Sequence, residues 1–281
     1  MDRALAMQGP LFGALTAPDW ERWEAATAWL ERELPAGPTR ARRIHWLTVP
    51  ILEWLLEQRA ASPRQPLLVG LSAPQGSGKS TLTALLVALL ARSGVRAATL
   101  SIDDFYLRRE DQLALAAARP DDPFVQHRGY PGTHDLALGT ATLRALKHRE
   151  PCQLPRYDKA AHGGRGDRGA SVPAPDDLAL VLLEGWMLGF APVRTPPPEL
   201  AWENERLAGY RAWTALLDRM IAVRARDPHA VLRWRVEAER VLSRADAEDY
   251  ARRFLPAYAL WGATVRGDLS LTLDEDRLPV R

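Results

Sequence analysis

Lys79 and Ser80 close a glycine-rich run, Ala73-Pro74-Gln75-Gly76-Ser77-Gly78-Lys79-Ser80-Thr81, and residue types in that order handle phosphate. Glycines let the backbone wrap an anion with its N–H groups, a lysine reaches the outer phosphates, and a serine hydroxyl serves magnesium. Pro74, Gln75, Gly76, Ser77, Gly78, Lys79, Ser80 and Thr81 are therefore the expected contacts of a nucleotide's phosphates. The first glycine of the usual spacing is Ala73, which needs a negative φ, so the loop is expected intact but entered differently. Asp103 and Asp104, in Ser101-Ile102-Asp103-Asp104-Phe105-Tyr106, can take a proton from an acceptor hydroxyl or hold magnesium through water. Adjacent residues point to different sides. Asp103 is the expected base and Asp104 the runner-up. Glu184 closes the apolar run Val181-Leu182-Leu183 and is expected to share magnesium with Ser80. The competing role for Glu184 is an ion pair with a loop arginine.

Two loops read as substrate-handling. Arg128-Gly129-Tyr130-Pro131-Gly132-Thr133-His134-Asp135 holds Arg128 and His134 in a Gly/Pro turn. Pro155-Arg156-Tyr157-Asp158-Lys159 runs into Gly163-Gly164-Arg165-Gly166-Asp167-Arg168, a flexible cationic stretch. Arginine forks match two oxygens of a carboxylate or phosphate. His134 either meets ligand or caps the helix that starts at Asp135. Arg235 stands four residues before Glu239 and reads locally as half of a surface pair. Of 37 basic residues only Lys79, Lys147 and Lys159 are lysine, which points to sites needing a compact ammonium; Lys147, near a helix end, reads as solvated.

Elements must bring these groups together. Apolar runs at 67–72, 97–102, 178–183, 220–223 and 269–273 read as strands, the third as a central one covered on both faces. Helical spacing lies between them at 82–91, 136–147, 230–242 and 245–254. Alternation of this kind means βαβ units, hence a three-layer α/β fold whose ligands gather at the carboxyl ends of the strands. Residues 19–61 read as helical, with Trp20, Trp23, Leu30, Leu47, Ile51 and Leu55 as packing positions, Asp19 as N-cap and Pro50 as a kink or boundary. The organisation expected is a helical N-terminal extension over 1–62 and a single α/β domain over 63–281.

Bulk properties exclude more than they assign. A net charge of +2 is too small to argue for nucleic acid or membrane. Cys152 is the sole cysteine, which rules out a disulfide framework and fits a reducing compartment. The most apolar stretch, 178–193, is broken by Glu184 and too short to cross a bilayer, and the start lacks a signal core, so a cytoplasmic protein is expected. No Asn-Lys-x-Asp segment occurs, which argues against a GTPase.

Taken in order, the segments 72–81, 101–107, 128–135, 155–159, 163–168 and 183–190 resemble the D-glycerate 3-kinase family, within the uridine kinase, phosphoribulokinase and pantothenate kinase group. The resemblance spans roughly residues 67–275. It implies a P-loop NTPase fold with a mostly parallel sheet, and ATP- and Mg2+-dependent phosphorylation of D-glycerate to 3-phosphoglycerate. It places the base on Asp103, substrate contacts on Asp104, Tyr106, Arg128, His134, Tyr157, Lys159, Arg165 and Arg168, magnesium on Ser80 and Glu184, and a lid arginine on Arg235. Two alternatives stand beside it. One is a kinase for another small hydroxylated acceptor, of pantothenate or nucleoside type. The other is a non-kinase ATP-binding regulatory protein, for which a pI near 8.8 and the arginine-rich loops are the only support.

Overall fold

The computed structural model describes residues 17–33, 42–62, 66–239 and 243–280. Its centre is β1 (Leu67–Ser72), buried along its whole length because both faces of the sheet are covered. The chain then gives α3 (Lys79–Arg92), β2 (Ala97–Ser101), a 3-10 turn (Ile102–Phe105), α4 (Arg109–Ala118) and α5 (Leu136–His148). Two small ribbons follow, β3 (Gln153–Leu154) with β6 (Val172–Pro173) and β4 (Tyr157–Asp158) with β5 (Asp167–Arg168). Next come β7 (Leu180–Gly185), α6 (Ala201–Leu207), β8 (Arg219–Ala225), α7 (Pro228–Ala238), α8 (Arg244–Arg252), α9 (Leu255–Trp261), β9 (Leu269–Leu273) and β10 (Pro279–Val280). Ahead of β1 lie α1 (Ala17–Glu33) and α2 (Val49–Ala61).

The main sheet runs β10-β9-β8-β1-β7-β2. Its first five strands in sequence (β1, β2, β7, β8 and β9) are parallel, and only β10 turns back. This is the expected α/β architecture. One face packs Leu82, Leu86, Leu89 and Leu90 of α3 with Trp23, Leu30, Leu47, Ile51 and Leu55 of the N-terminal helices. The other packs Leu143, Leu146, Leu207, Trp213 and Trp261. The N-terminal helices therefore share a hydrophobic cluster with the sheet. Among the described residues no helix is long and apolar enough to cross a membrane.

Several boundaries differ from the sequence reading, each for a physical reason. The third apolar run pairs as Leu180–Gly185, two residues later than 178–183, because β1 starts at Leu67 and that residue faces Leu180. Glu184 is thus inside the strand. Ile102 leaves β2 for the 3-10 turn, since Ser101 and Asp104 form a reciprocal capping box there. Helix α7 starts early, at Pro228, with Asp227 as its cap, and ends at Ala238; residues 240–242 lie outside the described residues. Asp19 is not an N-cap, because α1 has begun at Ala17; the Trp20 side chain lies outside the described residues. Pro50 marks a boundary: a π-helical turn, Ile44–Thr48, leads into α2 with the proline in its first turn.

Candidate active site

The phosphate loop is the turn from β1 into α3. Gly76 and Gly78 take φ of +71° and +84°, which side chains rarely adopt. Ala73 takes no positive φ, as its side chain requires, and its N–H donates to the Gly185 carbonyl at 3.1 Å, continuing the ladder between β1 and β7. The Tyr258 hydroxyl accepts the Gln75 N–H at 2.9 Å. The first N–H groups of α3, from Lys79, Ser80 and Thr81, have no partner within the helix by geometry and suit an anion. Register brings the acidic groups to the same edge, with Glu184 opposite Leu71 on one side and Ser101 on the other.

Ser80 Oγ donates to Glu184 Oε1 at 2.8 Å, while Lys79 Nζ lies 3.9 Å from Glu184 Oε2. That second oxygen is buried with no hydrogen-bond partner. A hydroxyl and a buried, half-satisfied carboxylate are hard oxygen donors, and the pair fits magnesium, which takes one or two protein oxygens and keeps the rest for water and phosphate. Among the described residues no cluster of three His, Cys, Asp or Glu offers a fuller cage.

Asp103 and Asp104 divide as adjacent residues must. Asp103 Oδ2 meets the Lys159 ammonium at 2.5 Å. Burial pushes the Asp103 carboxyl up, but the Lys159 and Lys79 charges overcome it and hold it at about 2. The Tyr106 hydroxyl faces the same carboxylate, and burial with that charge drives it well above its ordinary range. Asp104 turns the other way. It accepts the Ser101 and Tyr157 N–H groups at 3.0 and 3.3 Å and pairs with Arg156 at 3.4 Å, so it fixes the turn that carries Asp103. The runner-up for the base is thus committed to scaffolding.

The loop residues are brought to the same neighbourhood, though not all to a ligand. Arg128 donates to the carbonyls of Gly164 (3.1 Å), Arg165 and Lys159 (3.5 Å), and stands 5.5 Å from the Tyr157 ring centre. It holds the glycine-rich loop rather than facing outward. Arg168 Nη2 donates to the Tyr106 carbonyl and to Asp135 at 3.2 and 3.0 Å while its Nε is buried without a hydrogen-bond partner, and the Arg165 side chain is exposed. His134 is buried, with Nδ1 2.7 Å from the Tyr210 hydroxyl; burial lowers its pKa to about 4. It caps nothing: Asp135 caps α5 by accepting the Leu138 N–H. Arg235 pairs with Glu239 at 2.8 Å, as the local spacing suggests. Yet its backbone also abuts the phosphate loop, since a Cβ on Gly76 would fall 2.5 Å from Arg235 N.

Sequence reasoning missed Tyr250 on α8. Its ring lies under the Arg235 guanidinium at 5.3 Å, and its hydroxyl feels Arg128, Arg235, Asp103 and Lys159. A tyrosine on an amphipathic helix gives no local signal of this. Lys147 was also misjudged: it binds the Leu216 carbonyl and Asp218 at 2.7 and 2.9 Å. Each of the three lysines faces a carboxylate.

No family model matches the chain. It is 35% identical to the chloroplastic D-glycerate 3-kinase of Arabidopsis thaliana, over 86% of this chain and 62% of the plant protein's length. It is 32% identical to a Schizosaccharomyces pombe protein named uncharacterized kinase mug58, over 80% of this chain and 94% of that one. The solved D-glycerate 3-kinase from Cryptococcus neoformans is similar with a TM-score of 0.76 at 28% identity, covering 82% of this chain and 96% of its own. A loop, strand order and site of this kind, together with that identity and coverage, mean that the chain belongs to the family of P-loop kinases that includes D-glycerate 3-kinase.

Proposed function

We propose that this protein is an ATP- and magnesium-dependent kinase that phosphorylates the terminal hydroxyl of D-glycerate, yielding 3-phosphoglycerate and ADP. The supporting observation is the Asp103–Lys159 pair at 2.5 Å, on the sheet edge that carries Lys79 and Glu184. Asp103 orients the acceptor hydroxyl and takes its proton as the new O–P bond forms and the bond from the γ-phosphorus to the bridging oxygen breaks. While Lys159 pairs with it the carboxylate is held low, at about 2, and a loose transfer, in which the proton leaves late, asks little basicity of it. Lys79 neutralises charge on the transferred group. Magnesium, held by Ser80 and Glu184, would neutralise charge on the β- and γ-phosphate oxygens.

Lys159 is mostly exposed and rides on a glycine-rich loop, so an incoming carboxylate competes with Asp103 for its ammonium. That exchange would free Asp103 for the hydroxyl and fix the acid at its other end. Tyr106 and Tyr250 support the reading, because both hydroxyls lie within reach of the Asp103 charge. The test is ATP consumption with D-glycerate, L-glycerate, pantothenate or uridine. D-glycerate is expected to stimulate turnover by orders of magnitude over the others. Stimulation by pantothenate or uridine alone reassigns the acceptor, and no stimulation by D-glycerate refutes the glycerate kinase reading.

A further inference from the structure

The phosphate loop has a second face, formed by carbonyls that point away from the cradle. Two of them meet guanidinium groups from distant parts of the chain. The Gly76 carbonyl accepts from Arg277 Nε at 2.9 Å, and the Ser77 carbonyl accepts from Arg43 Nη2 at 3.1 Å. Arg43 Nη1 also donates to the Arg277 carbonyl at 3.2 Å, which makes the two arginines one unit. In a trans peptide the C=O and the following N–H point in opposite directions. Holding the Ser77 carbonyl outward therefore aims the Gly78 N–H into the cradle. The Gly76 carbonyl is held the same way, while the Ser77 N–H closes the turn onto the Pro74 carbonyl at 3.3 Å.

Arg277 has a third partner. Its Nη2 lies 2.6 Å from Glu237 Oε2 on α7, and its guanidinium stands 5.4 Å from the Trp234 ring centre on the same helix. The residue sits at φ +63°, in the left-handed region that favours glycine, within a turn pinned by Asp274 accepting the N–H groups of Asp276 and Leu278. A long cationic side chain at a strained position that reaches the phosphate loop points to a role there.

We propose that Arg277, with Arg43, is a positioning pair for the nucleotide phosphates. Arg43 aims the Gly78 N–H through the Ser77 carbonyl, while Arg277 fixes the Gly76–Ser77 turn that precedes it and ties that turn to α7 through Glu237. This rests on the reading that the loop binds ATP. Neither arginine touches the reacting atoms; both act through the loop.

The test measures binding of magnesium with a non-hydrolysable ATP analogue by calorimetry, alongside the melting temperature, on the full chain. Losing a charged hydrogen bond to the loop predicts that Arg277→Ala weakens affinity about tenfold. Arg277→Lys keeps a charge behind the loop and is expected to lose only about threefold. If Arg277→Ala binds within twofold of wild type while melting earlier, the arginine is a staple for the hairpin and the proposal fails. It fails equally if lysine is no better than alanine. Glu237→Gln is expected to weaken binding on its own and to add nothing to Arg277→Ala; additive losses overturn the tie to α7. Should Arg277→Ala not fold, Arg43→Ala reads the same loop, with about fivefold weaker binding expected and unchanged binding overturning the pair. A wild-type protein without affinity for the analogue would refute ATP binding itself, whereas wild-type affinity left intact by the substitutions refutes only the arginines.

Discussion

Asp103 lies under two opposed influences, and their balance sets its chemistry. Burial disfavours its charge, while Lys159 and Lys79 favour it and win, leaving the carboxylate ionised at any pH above about 2. Two predictions follow at this scale. Asp103→Asn keeps the shape and removes the proton acceptor, so kcat should fall by about 10² to 10⁴ while ATP affinity, measured separately, stays near wild type. Lys159→Met removes the nearest opposing charge and leaves burial unchecked, so the pKa of Asp103 should rise. The wild-type kcat/KM, which reports the free enzyme, should show no acid limb from Asp103 between pH 5 and 8. The variant's kcat/KM should fall toward the acid end of that window, and a flat profile would contradict the charge balance. Asp104, one residue on, is spent on the Ser101 and Tyr157 N–H groups; Asp104→Asn should chiefly loosen that turn.

Elements explain why these residues meet. The short 3-10 turn that bears Asp103 rests on Phe105, whose ring lies 5.2 Å from that of Trp213, and Trp213 packs against α5. Gly139 in α5 makes room for it, since a Cβ there would fall 2.4 Å from Trp213 Cζ2. Helix propensity alone predicts that Gly139→Ala gains up to about 1 kcal/mol. Overpacking against a fully buried indole should outweigh this, with a net loss of about 1–3 kcal/mol by urea denaturation. The displaced indole lies behind Phe105, so turnover should fall too. Alanine equal to or better than glycine would mean that this wall is soft. Boundaries of elements were the least legible feature of the sequence: the third strand reads as 178–183 closed by Glu184, yet the register of β1 runs it from Leu180 to Gly185.

At the scale of the molecule, the sheet separates two hydrophobic clusters, and α6 brings a carboxylic acid into the second one's surroundings. Glu203 is fully buried, and burial together with the Asp122 charge raises its pKa from 4.5 to about 7. The folded state then keeps a proton that the unfolded chain releases. Stability from this group is full below pH 4.5 and is lost as pH rises through about 7. Glu203→Gln removes that dependence. Its melting temperature relative to wild type should rise between pH 5 and pH 8, and a constant difference would mean that Glu203 is ionised in the folded protein. The N-terminal helices matter at this scale as well, because they cover one face of the sheet and deliver Arg43 to the phosphate loop.

Local spacing was enough to identify the phosphate loop, the α/β class and the carboxylates at the strand ends, because each depends on neighbours in the chain: glycines for the turn, an apolar run for the strand, an acid where that run stops. Contacts between distant segments had no such signature. Only the tertiary structure showed that Asp103 faces Lys159 while Asp104 does not, that Arg128 and Arg168 hold loops, and that Tyr250, Arg43 and Arg277 converge on the site. Periodicity records which face of an element is apolar; which polar group stands opposite it is decided by packing across the sheet.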